Sequence, residues 1–206
     1  FKASILARKF IFVGEIKWVA DTMKKFLIIG HRWDMDIHEK IDFQSDTIER
    51  DFWQIVPDKG KLHAPSGIDY FVFNKGLWRN IPDFIIGRPG FDNWLIWKAR
   101  RRRVPVVDAT KAIQVVHQNH HFNFHNLKQD PKIHLEEEGQ SNSRIHKGRI
   151  LNILDADYTL FNGKVNKKAD YDFKIRNLHR LPGIYPEFAI LIKMYRRIYK
   201  LFFKPE

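Results

Sequence analysis

Residues 64–121 read APSGIDYFVFNKGLWRNIPDFIIGRPGFDNWLIWKARRRRVPVVDATKAIQVVHQNHH, and the order of elements in this stretch decides the fold. Ile68-Asp69-Tyr70-Phe71-Val72-Phe73 is dense in β-branched and aromatic residues, the composition of a strand. Gly87-Arg88-Pro89-Gly90 must turn, because Pro89 fixes its φ and the flanking glycines relieve the sterics. Phe91 to Arg103 then reads as a helix. Asp92 and Asn93 stand at its start, and Lys98 and Arg100 to Arg103 stand toward its end, the charge order that suits the helix dipole. Val104-Pro105-Val106-Val107 is a short apolar strand with its proline near the first residue, and Ala112 to His117 is another that ends on a histidine. Strand, turn, helix, strand, strand predicts an α/β domain.

Upstream, Phe26-Leu27-Ile28-Ile29-Gly30 is an unbroken apolar run, the signature of a strand buried on both faces. Residues 1–25 fit a helix or a strand. A helix is expected around Asp46 to Val56, and a turn at Pro57-Asp58-Lys59-Gly60. Downstream, residues 122–148 read as an exposed loop with a short helical piece. Arg149 to Leu154 reads as helix, and Asp155 to Phe161 as a strand before the Asn162-Gly163 turn. Lys164 to Arg180 reads as basic and irregular, Leu181-Pro182-Gly183 as a break, and Pro186 as the start of a last helix. The domain reading is therefore an α/β unit over residues 1–160 and a basic appendage over 161–206. In the last helix Lys193, Arg196, Arg197, Lys200 and Lys204 recur at helical spacing. Ile190, Leu191, Met194, Tyr195, Ile198, Leu201 and Phe202 supply a broad apolar side. Such a helix docks on the domain core or lies on an anionic membrane; it is too short and too charged to span one.

The chain has no cysteine, which excludes a disulfide framework and a thiolate metal site. With 44% hydrophobic residues, 17 Phe and 6 Trp among 206, it has the material for a packed core and is not a disordered chain. It shows no signal-peptide pattern. A net charge of +12 suits phosphate-bearing partners, an anionic membrane or nucleic acid, or is simply a solvated basic surface. The four consecutive arginines point around the whole cylinder of a helix and so line no single surface. With no nucleic-acid-binding module beside them, nucleic acid is the least favoured partner.

Four histidines, His117, His120, His121 and His125, fall within nine residues and can supply metal ligands, or are the hydrogen-bonded imidazoles of a polar loop. Asp92 is either a plain helix-start carboxylate or a general base. Trp33 and Trp78 lie beside charged residues in expected turns and offer flat faces to a sugar ring or base, whereas Trp94 and Trp97 read as packing. Arg88, in the turn before Asp92, can pair a phosphate through its planar fork, or is a surface arginine.

The order of motifs resembles the acceptor-side part of nucleotide-sugar glycosyltransferases with the GT-A fold. The counterparts are Ser66-Gly67, Asp92, the Val104 to Val107 strand and His117, and GRPGFDNW followed by VVHQNHH is similar to a group of bacterial glycosyltransferase-like proteins. The resemblance covers roughly residues 26 to 160. It implies a partial GT-A, Rossmann-like mixed sheet with flanking helices, in which the nucleotide-binding N-terminal part of the family is expected to be missing from these 206 residues. It implies transfer of a sugar from a nucleotide-sugar donor to a hydroxyl, on a carbohydrate or lipid-linked acceptor, in surface polysaccharide or glycolipid synthesis. In that reading Asp92 is the base that takes the acceptor proton. His117, with His120 as second candidate, completes the coordination of Mn²⁺ or Mg²⁺ on the donor diphosphate. Gly67, Asp69, Trp33, Trp78 and Arg88 contact substrate. The family carries an acidic residue directly before this Asp, where Phe91 stands here. Asp34 and Asp36 resemble the family's metal-binding aspartate pair but come too early in the chain, and are expected to shape the substrate pocket or cap a loop. The expected location is cytoplasmic, peripheral on the inner face of the membrane. Two readings from other classes stand beside this one: a non-catalytic carbohydrate- or phosphate-binding module, and a basic nucleic-acid-binding protein.

Overall fold

The computed structural model describes residues 5–7, 9–39, 41–42, 45, 47–119 and 137–202. In chain order the elements are β1 (Ile5–Ala7), α1 (Lys9–Thr22), β2 (Leu27–His31), β3 (Trp33–Met35), α2 (Ile48–Lys59), β4 (Lys61–Leu62), β5 (Ile68–Phe73) and α3 (Phe91–Arg101). There follow β6 (Val106–Asp108), β7 (Val115–Gln118), α4 (Glu137–His146), β8 (Tyr158–Phe161), β9 (Lys164–Lys167), α5 (Tyr171–Ile184) and α6 (Ala189–Phe202). Short 3₁₀ turns, Ile153–Asp155 and Pro186–Phe188, precede β8 and α6. The protein is α/β, with mixed parallel and antiparallel sheets.

The strands form a five-stranded sheet in the order β5-β2-β6-β8-β9 and a four-stranded sheet in the order β1-β7-β3-β4. Two of the places where the chain crosses from one sheet to the other lie side by side. The first passes from β2 through Arg32 into β3. The second passes from β6 through residues 109–114 into β7, and the runs lie parallel to each other in both sheets. The crossings are tied: Ala109 N–H donates to the Ile29 carbonyl at 2.8 Å, and His31 N–H donates to Thr110 Oγ1 at 3.0 Å.

β2 is buried on both faces because its side chains alternate. Leu27 and Ile29 join Trp94, Ile96 and Val106 on the side covered by α3. Phe26 and Ile28 join Val19, Val107, Ile113 and Leu160 on the side of α1. Each such fully buried aliphatic side chain stabilises the fold by about 1.5–3 kcal/mol. A third cluster, Met35, Phe52, Trp53, Val56 and Val116, packs α2 on the four-stranded sheet.

Several sequence expectations are corrected. Ile68–Phe73 and the Phe26–Gly30 run do share a sheet, but β7 belongs to the other one, and Ala112 and Ile113 sit in a turn. The cause is Asp108, whose Oδ1 accepts from Thr110 N–H at 3.0 Å and from Thr110 Oγ1 at 2.6 Å, bending the chain out of β6. Pro57 and Pro182 lie inside α2 and α5 rather than breaking them. Both come in the last turn, where only one backbone bond is lost. The segment read as irregular, residues 164–180, forms β9 and most of α5, whose N-cap Asp170 accepts from Phe173 N–H at 2.8 Å. The 160/161 boundary falls inside β8, and the β8–β9 hairpin carries the sheet beyond it. Within the arginine run, Arg100 is buried and paired with Asp157 and Asn177, and Arg101 pairs with Glu187.

Candidate functional site

At the junction of the two sheets, polar side chains gather that share no neighbourhood in sequence. Arg32 sits where β2 passes into β3. Its Nε donates to Asp34 Oδ1 and its Nη1 to Asp69 Oδ1, both at 2.8 Å. Asp34 Oδ2 lies 2.5 Å from His63 Nδ1, and Asp69 Oδ2 lies 2.7 Å from His117 Nδ1. The result is one chain of contacts, His63–Asp34–Arg32–Asp69–His117. It draws on β3, the β4–β5 loop, β5 and β7, and the pairing of β3 with β7 sets Asp34 directly beside His117. Asp69, with 11% of its side chain exposed, and His117, with 16%, are the most enclosed members.

Asp92 opens α3 at the edge of this network. Burial pushes its carboxyl up to about 6, and the negative charge of Asp69 adds to the shift; its own backbone amide and Arg32 oppose it. Asp69 goes the other way. Burial alone would raise it, but the hydrogen bond from His117 and the guanidinium of Arg32 outweigh that and hold it below the usual carboxylate range. Two electrostatically coupled carboxylates are thus driven apart in pKa, Asp69 downward and Asp92 to about 6, the arrangement that divides roles among acids and bases in catalytic sites.

The backbone that delivers Asp92 is fastened by Asn142 of α4, which is fully buried. Asn142 Oδ1 accepts from Ile85 N–H at 2.9 Å, and its Nδ2 donates to the carbonyls of Ile85 at 3.0 Å and Pro89 at 3.2 Å. Gly90, the N-cap of α3, has φ 104° and lies against the His146 ring, where a β-carbon would come within 2.6 Å. Any other residue there would be strained and would clash.

The remaining expected site residues are distributed as follows. Gly67 is buried beneath His63, and a β-carbon on it would stand 1.9 Å from the imidazole; its bareness makes room for the ring. Trp33 alternates with Arg32 and Asp34 along the strand, so it faces the α2 core instead of the network. Trp78 meets Phe73 edge-on at 5.8 Å, at the far end of β5 from Asp69, and its buried Nε1 has no partner among the described residues. Arg88 donates to Glu138 of α4 at 2.6 Å. Asp36 is exposed and lines a separate cavity of about 460 Å³ with Ile37, Phe52 and Ile55. The structure thus brings Asp69, Asp92, His117 and Gly67 to one place, and leaves Trp33, Trp78 and Arg88 outside the network.

Arg32 and His63 are functional candidates that pattern reading misses. The signal was faint: a histidine four residues before a glycine, and an arginine two residues before an aspartate. A second polar group adjoins them at the ends of β2 and β6. His31 has ring nitrogens that are enclosed and without partners among the described residues, and burial chiefly holds its pKa below the usual imidazole value, with Asp108 opposing and His63 and Lys168 reinforcing. Ends of parallel strands are where α/β sheets bind ligands.

For a metal ion the fit is incomplete. Among the described residues no three His, Asp or Glu side chains converge on a common point. His117, oriented by a carboxylate on Nδ1 as metal-bound histidines are, is the described candidate; His120, His121 and His125 lie outside the described residues. Comparison with protein-family models, with curated proteins and with solved structures finds no match.

Proposed function

We propose that the protein belongs to the GT-A type of nucleotide-sugar glycosyltransferases and moves a sugar from a nucleoside-diphosphate donor to a hydroxyl acceptor, with Asp92 as general base. The observation that carries this reading is the Asp92 carboxyl itself, raised to about 6 at a helix start beside an ionised Asp69 held by Arg32 and His117. A base titrating just below neutral is ionised at pH 7 yet basic enough to accept a proton in the transition state.

In the proposed step the acceptor oxygen forms a bond to the anomeric carbon, the bond from that carbon to the diphosphate oxygen breaks, and the acceptor proton passes to Asp92. The diphosphate leaves with the bonding pair. Asp69 has two oxygens engaged by Arg32 and His117, and a carboxylate has further lone pairs with which to hold a donor or acceptor hydroxyl. Mn²⁺ or Mg²⁺ would enter with the donor diphosphate and neutralise its charge. Since the described residues supply only part of a donor set, no step above depends on that ion.

The test is release of nucleoside diphosphate from a panel of uridine and guanosine diphosphate sugars, with and without a simple glycoside acceptor. Acceptor-dependent release is expected, and Asp92→Asn should lower it by about 10²–10⁴-fold while leaving donor affinity within a few-fold. Sugar binding with no transfer from any donor would favour the non-catalytic binding module instead.

A further inference from the structure

Among the described residues, the last helix carries an apolar face that stays largely exposed. Ile190 is 77% exposed, Leu191 63%, Met194 56%, Tyr195 56% and Ile198 51%. Their spacing puts them on one arc of α6. Ile192, on another side, is half-buried where α6 runs along α5. Lys193 and Arg197 are exposed and lie next to the apolar arc, and Phe188, at 49%, extends it into the preceding turn. Such a concentration of exposed apolar side chains on one helix marks an interaction surface.

Charge selects the occupant. The chain carries +12 overall, and α6 has no acidic residue in its first turn. Two copies meeting through α6 would bring like charges together, whereas an anionic surface would neutralise them. Among the described residues no helix is long and apolar enough to cross a membrane, so the geometry is that of a helix lying in an interface. We propose that α6 seats the protein on an anionic lipid surface, with Leu191, Met194 and Ile198 entering the acyl boundary and Lys193 and Arg197 reaching the headgroups. This surface is separate from the Asp92 network and does not depend on the activity assigned to it.

Co-sedimentation of the full chain with vesicles tests the proposal. One set contains phosphatidylcholine and phosphatidylglycerol in equal parts, the other phosphatidylcholine alone. Binding to the first set only, weakening as salt is raised, is expected. The triple variant Leu191→Glu, Met194→Glu, Ile198→Glu should abolish it. Lys193→Glu with Arg197→Glu should weaken it by at least about twentyfold, each basic residue near such a surface contributing about fivefold. All five positions are exposed, and circular dichroism and thermal melting check that the variants stay folded. No sedimentation, equal sedimentation with both vesicle sets, or binding unchanged in the apolar-face variant overturns the proposal. So does a dimer in sedimentation equilibrium that the triple variant dissolves, which would assign the face to a second copy.

Discussion

The role proposed for Asp92 as a base comes at a cost in stability. An ordinary aspartate titrates near 4, and burial beside Asp69 moves this one to about 6. Below about pH 4 the carboxyl is protonated in the folded and unfolded chains alike, and burial costs nothing on this account. As pH rises through about 6 the folded chain must ionise an enclosed carboxyl that the unfolded chain ionises freely, a loss of up to about 3 kcal/mol. Asp92→Asn removes that loss. Denaturant unfolding should therefore find the variant more stable than the parent by about 1–3 kcal/mol at pH 7.5, and the gain should shrink toward pH 4. A difference independent of pH would mean that Asp92 is not shifted. The helix-start position was legible in the sequence, since Asp follows a turn and precedes an apolar helical pattern. Its shift was not, because the causes are burial and the charge of Asp69, 23 positions away in the chain and brought within electrostatic reach only by the fold.

At the scale of elements, α4 and the 85–90 loop act as one unit through Asn142. Asn142→Ala would leave the half-buried Ile85 amide and the carbonyls it holds without their partner, at about 1–3 kcal/mol. It should also lower activity, since the loop delivers Asp92. Arg88→Ala breaks the pair with half-exposed Glu138, which contributes under about 1 kcal/mol, and should cost less than Asn142→Ala. Urea melts of the two variants separate these outcomes, and equal losses would contradict the assignment. Strands β2 and β5 were legible from composition, because a two-sided burial pattern and a β-branched run are local signals. The transfer of β7 to the other sheet was not. It depends on one Asp108–Thr110 turn whose residues look like any other loop. α5 was hidden in the same way, since its cap and its late proline contradict a simple reading of proline as a stop.

Across the whole molecule, two sheets meet where β2 passes into β3, and that seam assembles Arg32, Asp34, His63, Asp69 and His117 from four separate segments. The motif order pointed to Asp92, Asp69, Gly67 and His117, which the fold gathers. It also pointed to Trp33, Trp78 and Arg88, which alternation along β3, the length of β5 and the pairing with Glu138 direct elsewhere. Because Asp69 lifts Asp92, the seam makes a prediction about the base that no single residue makes. With Asp69→Asn, the titration of Asp92 should move below 6. The pH dependence of acceptor-stimulated diphosphate release tests the central claim most directly. For the parent chain kcat/KM should rise with pH through an apparent pKa of about 6 and then level, the midpoint should fall in Asp69→Asn, and Asp92→Asn should lie near background throughout. A profile flat from pH 5 to pH 8, or full activity in Asp92→Asn, would contradict the account.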